Sequence, residues 1–464
     1  MKKRLVGRIK QSVWLDRLIW RLRHPFGGDR IAVVEEQTKS QKQQIRWLQD
    51  IIRAQGVFSW KQRAKQKQTN QTPIRVVFVC HEPAIWSMFE SIYESMSRDS
   101  SFDPLVVAMP VTQAVRSVAA DMYQFCQERH IQALKGYDAA TKQWLNPLEL
   151  EADYLFMQTP YSLFPPMWQA EALSMHTKIC YVPYGLTLFK GIVEQIVHPV
   201  EYLRFVHLFF LEAPIVKERF LQQFSSATWL NPDSIKVSGS PKLSWMKSAN
   251  ATSGMGGLGH SKQQSVRCIL WTPRWRTEEG VCHFFEYYPF FFEFCKQHPD
   301  IRFIFRPHPL MFHNFQTTGE FSVAQLVDLK KKFQTSPNMT IDLSPDYRES
   351  FRAADILVTD VSSLMWEFMS LNKPIVYTHR THVFNEIGDR LAEGCYWVNN
   401  PNELESQLTK LMEGKDNLIV KRQNLMDDLY VYPKEGPEGF IKNTLKDDLA
   451  AQCSATMPHH YYSP

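Results

Sequence analysis

The chain has 464 residues, with 53 lysines and arginines against 48 aspartates and glutamates, for a formal net charge of +5. A hydrophobic fraction of 44% and a charged fraction of 22% exclude disorder, collagen and coiled-coil rods as the main structure, and at roughly 150 residues per domain the length predicts two or three domains. The surplus of positive charge is too small to argue for nucleic-acid binding, so no nucleic-acid partner is expected.

Residues 1–25 differ from everything after them. Lys2, Lys3, Arg4, Arg8, Lys10, Arg17, Arg21 and Arg23 face a single acid, Asp16, a local excess of seven positive charges. They are interleaved with Leu5, Ile9, Val13, Trp14, Leu18, Ile19 and Trp20 at approximately helical spacing. A basic amphipathic helix with tryptophans suits an anionic membrane surface; the alternative is a solvated helix packed on its own protein. Residues 32–56 continue as a Gln-rich helix whose Ile45, Leu48, Ile51 and Ile52 give a short apolar seam, fit for a spacer or a dimer contact. No secretory signal is visible, and the longest charge-free apolar stretch, 154–170, contains Pro160, Pro165 and Pro166 and is short for a bilayer span. The eight cysteines show neither a Cys-x-x-Cys pair nor structural-zinc spacing, which points to a reducing compartment. A cytoplasmic protein, peripheral on the inner face of the cell membrane, is the expectation.

From Thr72 the pattern alternates between short apolar strands and helices. Strands are predicted at Ile74–Cys80, Pro104–Met109, Tyr154–Met157, Ile179–Val182, Leu208–Ile215 and Ser234–Val237, with helices after Trp86 and over 116–130. Residues 247–265 are polar and glycine-rich. Their GMGGLG follows no strand and precedes no Gly-Lys-Ser/Thr, so the segment reads as a flexible linker and not as a phosphate loop. The alternation then restarts with strands at Cys268–Thr272, Ile301–Phe305, Met339–Ile341, Ile356–Thr359 and Pro374–Tyr377. Helices are predicted near 284–297, 322–333, 347–354, 363–371 and 402–413. Buried strands separated by helices imply parallel sheets covered on both faces, which bind ligands at their carboxyl ends.

Three strand exits in the second half carry chemistry. In Asp355–Glu367 a strand runs into Thr359 and Asp360, and a helix begins at Ser362 or Ser363. That start offers free backbone N–H groups to a phosphate, while Glu367 is placed to accept a ribose hydroxyl. In Ile301–Pro309 two prolines stiffen the exit and hold Arg306 and His308 at the strand end. The arginine fork suits a diphosphate, and the imidazole can donate to a leaving phosphate oxygen. In Leu270–Arg276 two tryptophans accompany Arg274 and Arg276, either to stack a base and grip phosphates or as an aromatic packing corner. In the first half, His81, Glu82 and Tyr184 occupy comparable strand ends and are the candidates for the acceptor-side base.

In their order, TPRWR, RPHP and TDVSSLMWEFMSLNKPIVY resemble the C-terminal half of the CDP-glycerol glycerophosphotransferase family, the teichoic-acid and capsule polyol-phosphate transferases. The resemblance covers about 237–380 and implies a GT-B-type α/β fold, with two Rossmann-like domains facing a cleft and an N-terminal helical extension. It also implies a CDP-activated donor held as substrate and an acceptor that is a glycan or lipid-linked; no tightly bound cofactor is expected, and no cluster of side chains requires a metal. Residue by residue, it assigns Arg276, Arg306, His308, Ser362 and Ser363 to the donor diphosphate and puts Glu367 where the family commonly has Asp. Gly239-Ser-Pro-Lys242 is similar to the family's Gly-x-Pro-Arg, with Lys for Arg. Many members have a His-Gly-Thr-Pro motif whose His is taken as the base; here Tyr184 stands at that place, and Val361 stands where Tyr is common. Phenols ionise at about pH 10, so either His81 or Glu82 is the expected base, or the transferred group differs.

The expected organisation is an extension over 1–71, an acceptor domain over 72–246, the linker, a donor domain over 266–425, and a C-terminal helix and tail over 426–464 that pack back on the first domain. A nucleotide-sugar glycosyltransferase or epimerase, and a non-catalytic polysaccharide-assembly protein that binds nucleotide, remain as alternatives.

Overall fold

Runs such as Ile74-Arg-Val-Val-Phe-Val-Cys80 bury side chains of both parities, which is possible only in a strand covered on two faces. The computed structural model describes residues 28–110, 121–186, 188, 190, 199–243, 268–379 and 382–454. The basic segment 1–25 and the linker 247–265 lie outside the described residues. The chain forms two compact units, 1–60 and 61–464. Helix α1 (Gly28–Asn70) extends well beyond the expected 32–56, and Trp47, Leu48, Ile52, Val57 and Phe58 on it are exposed. Among the described residues, no helix is long and apolar enough to cross a membrane.

The second unit holds two parallel sheets. The N-terminal sheet comprises β1 (Ile74–Cys80), β2 (Phe102–Ala108), β3 (Ala133–Lys135), β4 (Tyr154–Met157), β5 (Lys178–Tyr181), β6 (Leu208–Leu211) and β7 (Ile235–Val237), in the order β3-β2-β1-β4-β5-β6-β7. Helices α2 (Ser87–Ser97), α3 (Met122–Glu128) and α4 (Pro214–Gln223) belong to this half. The β6 strand ends at Leu211, short of the expected Ile215, because Pro214 opens α4 and cannot donate to a ladder.

The C-terminal sheet comprises β8 (Cys268–Thr272), β9 (Arg302–Phe305), β10 (Met339–Ile341), β11 (Ile356–Thr359), β12 (Ile375–Thr378) and β13 (Tyr396–Val398), in the order β10-β9-β8-β11-β12-β13. Its helices are α5 (Phe284–Gln297), α6 (Met311–Thr317), α7 (Val323–Thr335), α8 (Arg348–Ala353), α9 (Leu364–Met369), α10 (Glu386–Ala392) and α11 (Pro401–Met412). Strands β3 and β13 and helices α4, α6 and α10 are additions to the sequence expectation. In both sheets the winding direction reverses beside the first strand, between β1 and β4 and between β8 and β11, which opens a crevice at the carboxyl ends.

Of the two aromatic roles offered for Leu270–Arg276, Trp271 takes the packing one. Trp271 is a core residue, 1% exposed, stacked on Phe284 at 5.3 Å and packed against Phe291 and Phe305. After α12 (Ile419–Leu429), helix α13 (Gly436–Ser454) returns to the N-terminal sheet. There Asp448 accepts from the Tyr154 hydroxyl at 2.7 Å and pairs with His207 Nε2 at 2.9 Å, while Lys446 reaches Asp99 at 3.1 Å.

Candidate active site

Strand register sets the site. Thr272 on β8 pairs with Thr359 on β11, so the segments after them, 273–276 and 360–363, leave the sheet side by side. Arg306 continues from β9 and donates its backbone N–H to the Trp271 carbonyl at 2.9 Å. Opposite them, His81 and Glu82 leave β1 and Tyr184 follows β5. These ends enclose one cavity of about 250 Å³. His81, Glu82, Tyr184, Arg274, Arg306, His308, Ser362, Ser363 and Glu367 all line it.

The donor-side groups are held in place by neighbours. Arg306 donates to Asp342 Oδ2 at 2.6 Å and to the Ser344 carbonyl at 2.8 Å, which fixes the plane of its guanidinium. Burial disfavours the charged form of Asp342, but hydrogen bonds from Ser344 and Ser350 and the Arg306 charge hold its carboxyl below the usual range. His308 is exposed and stacks flat on Trp275, centroids 4.9 Å apart at 13°. Its Nδ1 accepts the Leu310 N–H at 3.2 Å, so a neutral ring carries its proton on Nε2. The Ser362 hydroxyl accepts the Leu364 N–H at 3.2 Å, and Ser363 is the residue that opens α9.

The structure does not bring Arg276, Thr359 or Asp360 to the cavity. Asp360 is 1% exposed and accepts from the Arg274 N–H (2.7 Å), the His283 N–H (3.2 Å), His283 Nδ1 (2.8 Å) and the Thr378 hydroxyl. A carboxylate with four donors is saturated, so Asp360 organises the 273–283 loop beneath the site. Thr359 is fully buried and accepts from the Thr272 hydroxyl at 2.8 Å. The Arg276 side chain turns outward, 46% exposed, near Glu278 and Glu279 and over the Trp275 ring at 4.4 Å.

On the acceptor side, His81 is buried with its ring 5.9 Å from Phe164. Glu82 precedes the short turn Pro83–Ile85, and burial pushes the adjacent Cys80 thiol up to about 12, so that thiol is inert at neutral pH. The segment after Tyr184 approaches the other sheet closely. A Cβ on Gly185 would stand 3.1 Å from Ser363 Oγ, which is why glycine fits there.

Sequence reasoning missed a buried charge cluster beside Ser363. Lys242 donates to Glu367 Oε1 at 2.9 Å, with 7% and 3% of the two side chains exposed. Burial pushes the nearby Glu212 carboxyl up to about 7, against the pull of Lys242 and with the push of Glu367. Lys242 and Tyr347 line the cavity together with Glu367. The Gly239–Lys242 motif gave one signal of this; nothing in the sequence around Tyr347 did.

Two sheets meeting at their carboxyl ends define the GT-B type of fold, and solved structures agree. The chain is similar to S. aureus MnaA in a co-structure with UDP (TM-score 0.56, 12% identity, covering 84% of this chain and 100% of that one). It is similar to UDP-GlcNAc 2-epimerase from Neisseria meningitidis bound to UDP-GlcNAc (TM-score 0.52, 12% identity, 81% and 100% covered). It is also similar to a variant of the wall teichoic acid polymerase TagF (TM-score 0.51, 13% identity, 90% and 99% covered), and to the same polymerase soaked with CDPG (14% identity, 88% and 98% covered). At these identities the likeness establishes the fold. No curated protein sequence matches. The family model for CDP-glycerol:poly(glycerophosphate) glycerophosphotransferase matches residues 214–383, which contain the three strand exits. The resemblance read from the motifs is therefore borne out over residues 214–383.

Proposed function

We propose that the enzyme moves a glycerol-phosphate type of polyol-phosphate unit from a CDP-activated donor onto a cell-surface glycan or lipid-linked acceptor. The observation that carries this is the single cavity shared by His81, Glu82 and Tyr184 from one sheet and Arg306, His308, Ser362 and Ser363 from the other. The family match over 214–383 and the CDPG-soaked TagF structure of the same fold support the choice of donor.

In this reading Arg274, Arg306 and the backbone at Ser362 and Ser363 hold the diphosphate, and Glu367 faces the nucleoside. An acceptor hydroxyl attacks the polyol-bearing phosphorus in line. The new O–P bond forms as the bridging P–O bond breaks, and CMP leaves with its charge met by Arg306 and by the His308 Nε2 proton. The acceptor's proton passes to His81, whose imidazole is the side chain suited to neutral pH, with Glu82 beside it and Tyr184 orienting the acceptor. Catalysis here is positioning and charge stabilisation.

Radiolabelled CDP-glycerol with a lipid-linked acceptor tests the reading directly, alongside thermal-shift scanning with CDP, UDP and GDP ligands. Label transfer and stabilisation by CDP ligands are expected. Stabilisation by UDP-sugars alone would sink the polyol-phosphate reading. CDP binding without transfer would favour the assembly-protein reading, to which Tyr184 in place of the family His lends support. The proposed location is the inner membrane face, through residues 1–25: deleting them should release the protein from anionic vesicles at low salt, and undiminished binding would refute it.

A further inference from the structure

Lys242 and Glu367 form the most buried ion pair that joins the two halves of the cleft among the described residues. Lys242 follows the last strand of the N-terminal sheet, and Glu367 lies on α9, one turn beyond Ser363. The lysine stands on a rigid base. Ser91 on α2 donates to the Pro241 carbonyl at 3.3 Å, and Gly239, at φ +73°, presses its backbone against the Val431 carbonyl.

A buried ion pair contributes little net stability over an apolar pair of the same shape, because desolvation offsets the Coulomb attraction. This cluster is costlier still, since a second buried carboxyl, Glu212, lies within electrostatic reach of the pair. Glu212 Oε2 and Glu367 Oε2 find no hydrogen-bond partner among the described residues. What such a pair supplies is direction: a short charge-assisted bond of fixed length between two elements.

We infer that Lys242 is a positioning residue of the transfer reaction: clamped to Glu367, it fixes α9 and Ser363 relative to the acceptor-side strand ends. It acts through Glu367 and needs no contact with the donor. The inference rests on the proposed transfer reaction, and it adds a residue that the strand-exit motifs do not contain. A displacement of about 1 Å between the reacting groups costs on the order of 10²-fold in turnover, while a diphosphate held wholly on the C-terminal half still binds.

The test compares Lys242→Met and Lys242→Arg. Lys242→Met should lower kcat by roughly 10- to 100-fold, leave the donor KM within about threefold, and speed amide hydrogen exchange over 362–369. Lys242→Arg should restore all three, because the guanidinium meets the same carboxylate. Wild-type kcat and exchange in Lys242→Met would overturn the inference, as would a Lys242→Arg protein no better than Lys242→Met. If Lys242→Met does not fold, Lys242→Gln, one atom shorter and uncharged, is read the same way. Should the wild-type protein transfer nothing from CDP-glycerol, the transferase reading fails. The exchange measurement still decides whether Lys242 pins 362–369.

Discussion

Glu212→Gln changes one oxygen into an amide and removes one titration. Glu212 is 5% exposed, and burial, the largest influence on it, raises its carboxyl from an ordinary 4.5 to about 7. The folded protein therefore keeps a proton that the unfolded chain releases between those values. Because the folded state binds more protons there, stability falls as pH rises from about 4.5 to about 7, and the whole penalty is present above that. At about 1.4 kcal/mol per pH unit, the ionised side chain costs about 3 kcal/mol of folding stability at pH 8. The neutral glutamine carries no such cost. Urea unfolding of both proteins at intervals from pH 4 to pH 8 should give coincident midpoints at the acid end and a Glu212→Gln midpoint that moves progressively higher toward pH 8. Two parallel midpoint curves, or a variant less stable than wild type at pH 8, would refute the reasoning that Glu212 is a desolvated carboxyl facing Glu367 with only partial relief from Lys242.

Other outcomes follow from the same geometry. His308→Ala should lower turnover by about 10²- to 10³-fold with an unchanged melting temperature, since the exposed ring stacks on Trp275 without supporting the core; radiolabelled transfer at the wild-type rate would remove His308 from the mechanism. Gly239→Ala should destabilise by more than about 2 kcal/mol, because an alanine at φ +73° is strained and its Cβ meets the Val431 carbonyl. Equilibrium denaturation reads this, and an unchanged midpoint would mean that the 239–243 turn is not pinned as described. Arg306→Met should leave the Asp342 carboxyl without its guanidinium and weaken CDP binding by roughly tenfold in titration calorimetry, a hydrogen bond to a charged group being worth about 1.5–3 kcal/mol; unaltered affinity would exclude Arg306 from the donor site.

Much of the site was legible because strand ends are legible. Apolar runs such as Ile356-Leu-Val-Thr359 announce a buried strand, and the polar residues that interrupt them mark where the chain leaves the sheet. That reasoning put His81, Glu82, Arg306, His308, Ser362 and Ser363 near a common opening. It failed where a side chain's direction is set by a partner that the strand pattern does not reveal. Asp360 follows its strand as closely as Ser362 does, but it is drawn inward by His283 and Thr378, and Arg276 is drawn outward by Glu278 and Glu279.

The eight basic residues among the first 25, the two series of strands and the order of the three strand exits stand in the sequence itself, since charge, hydrophobic period and turn residues are local properties. The stacking of Trp275 on His308, the saturation of Asp360 and the Lys242–Glu367 bond were decided by tertiary structure alone. The Asp360–His283 and Lys242–Glu367 contacts span 77 and 125 residues, and the energy of a buried charge depends on the partner that folding brings to it, which no local pattern encodes.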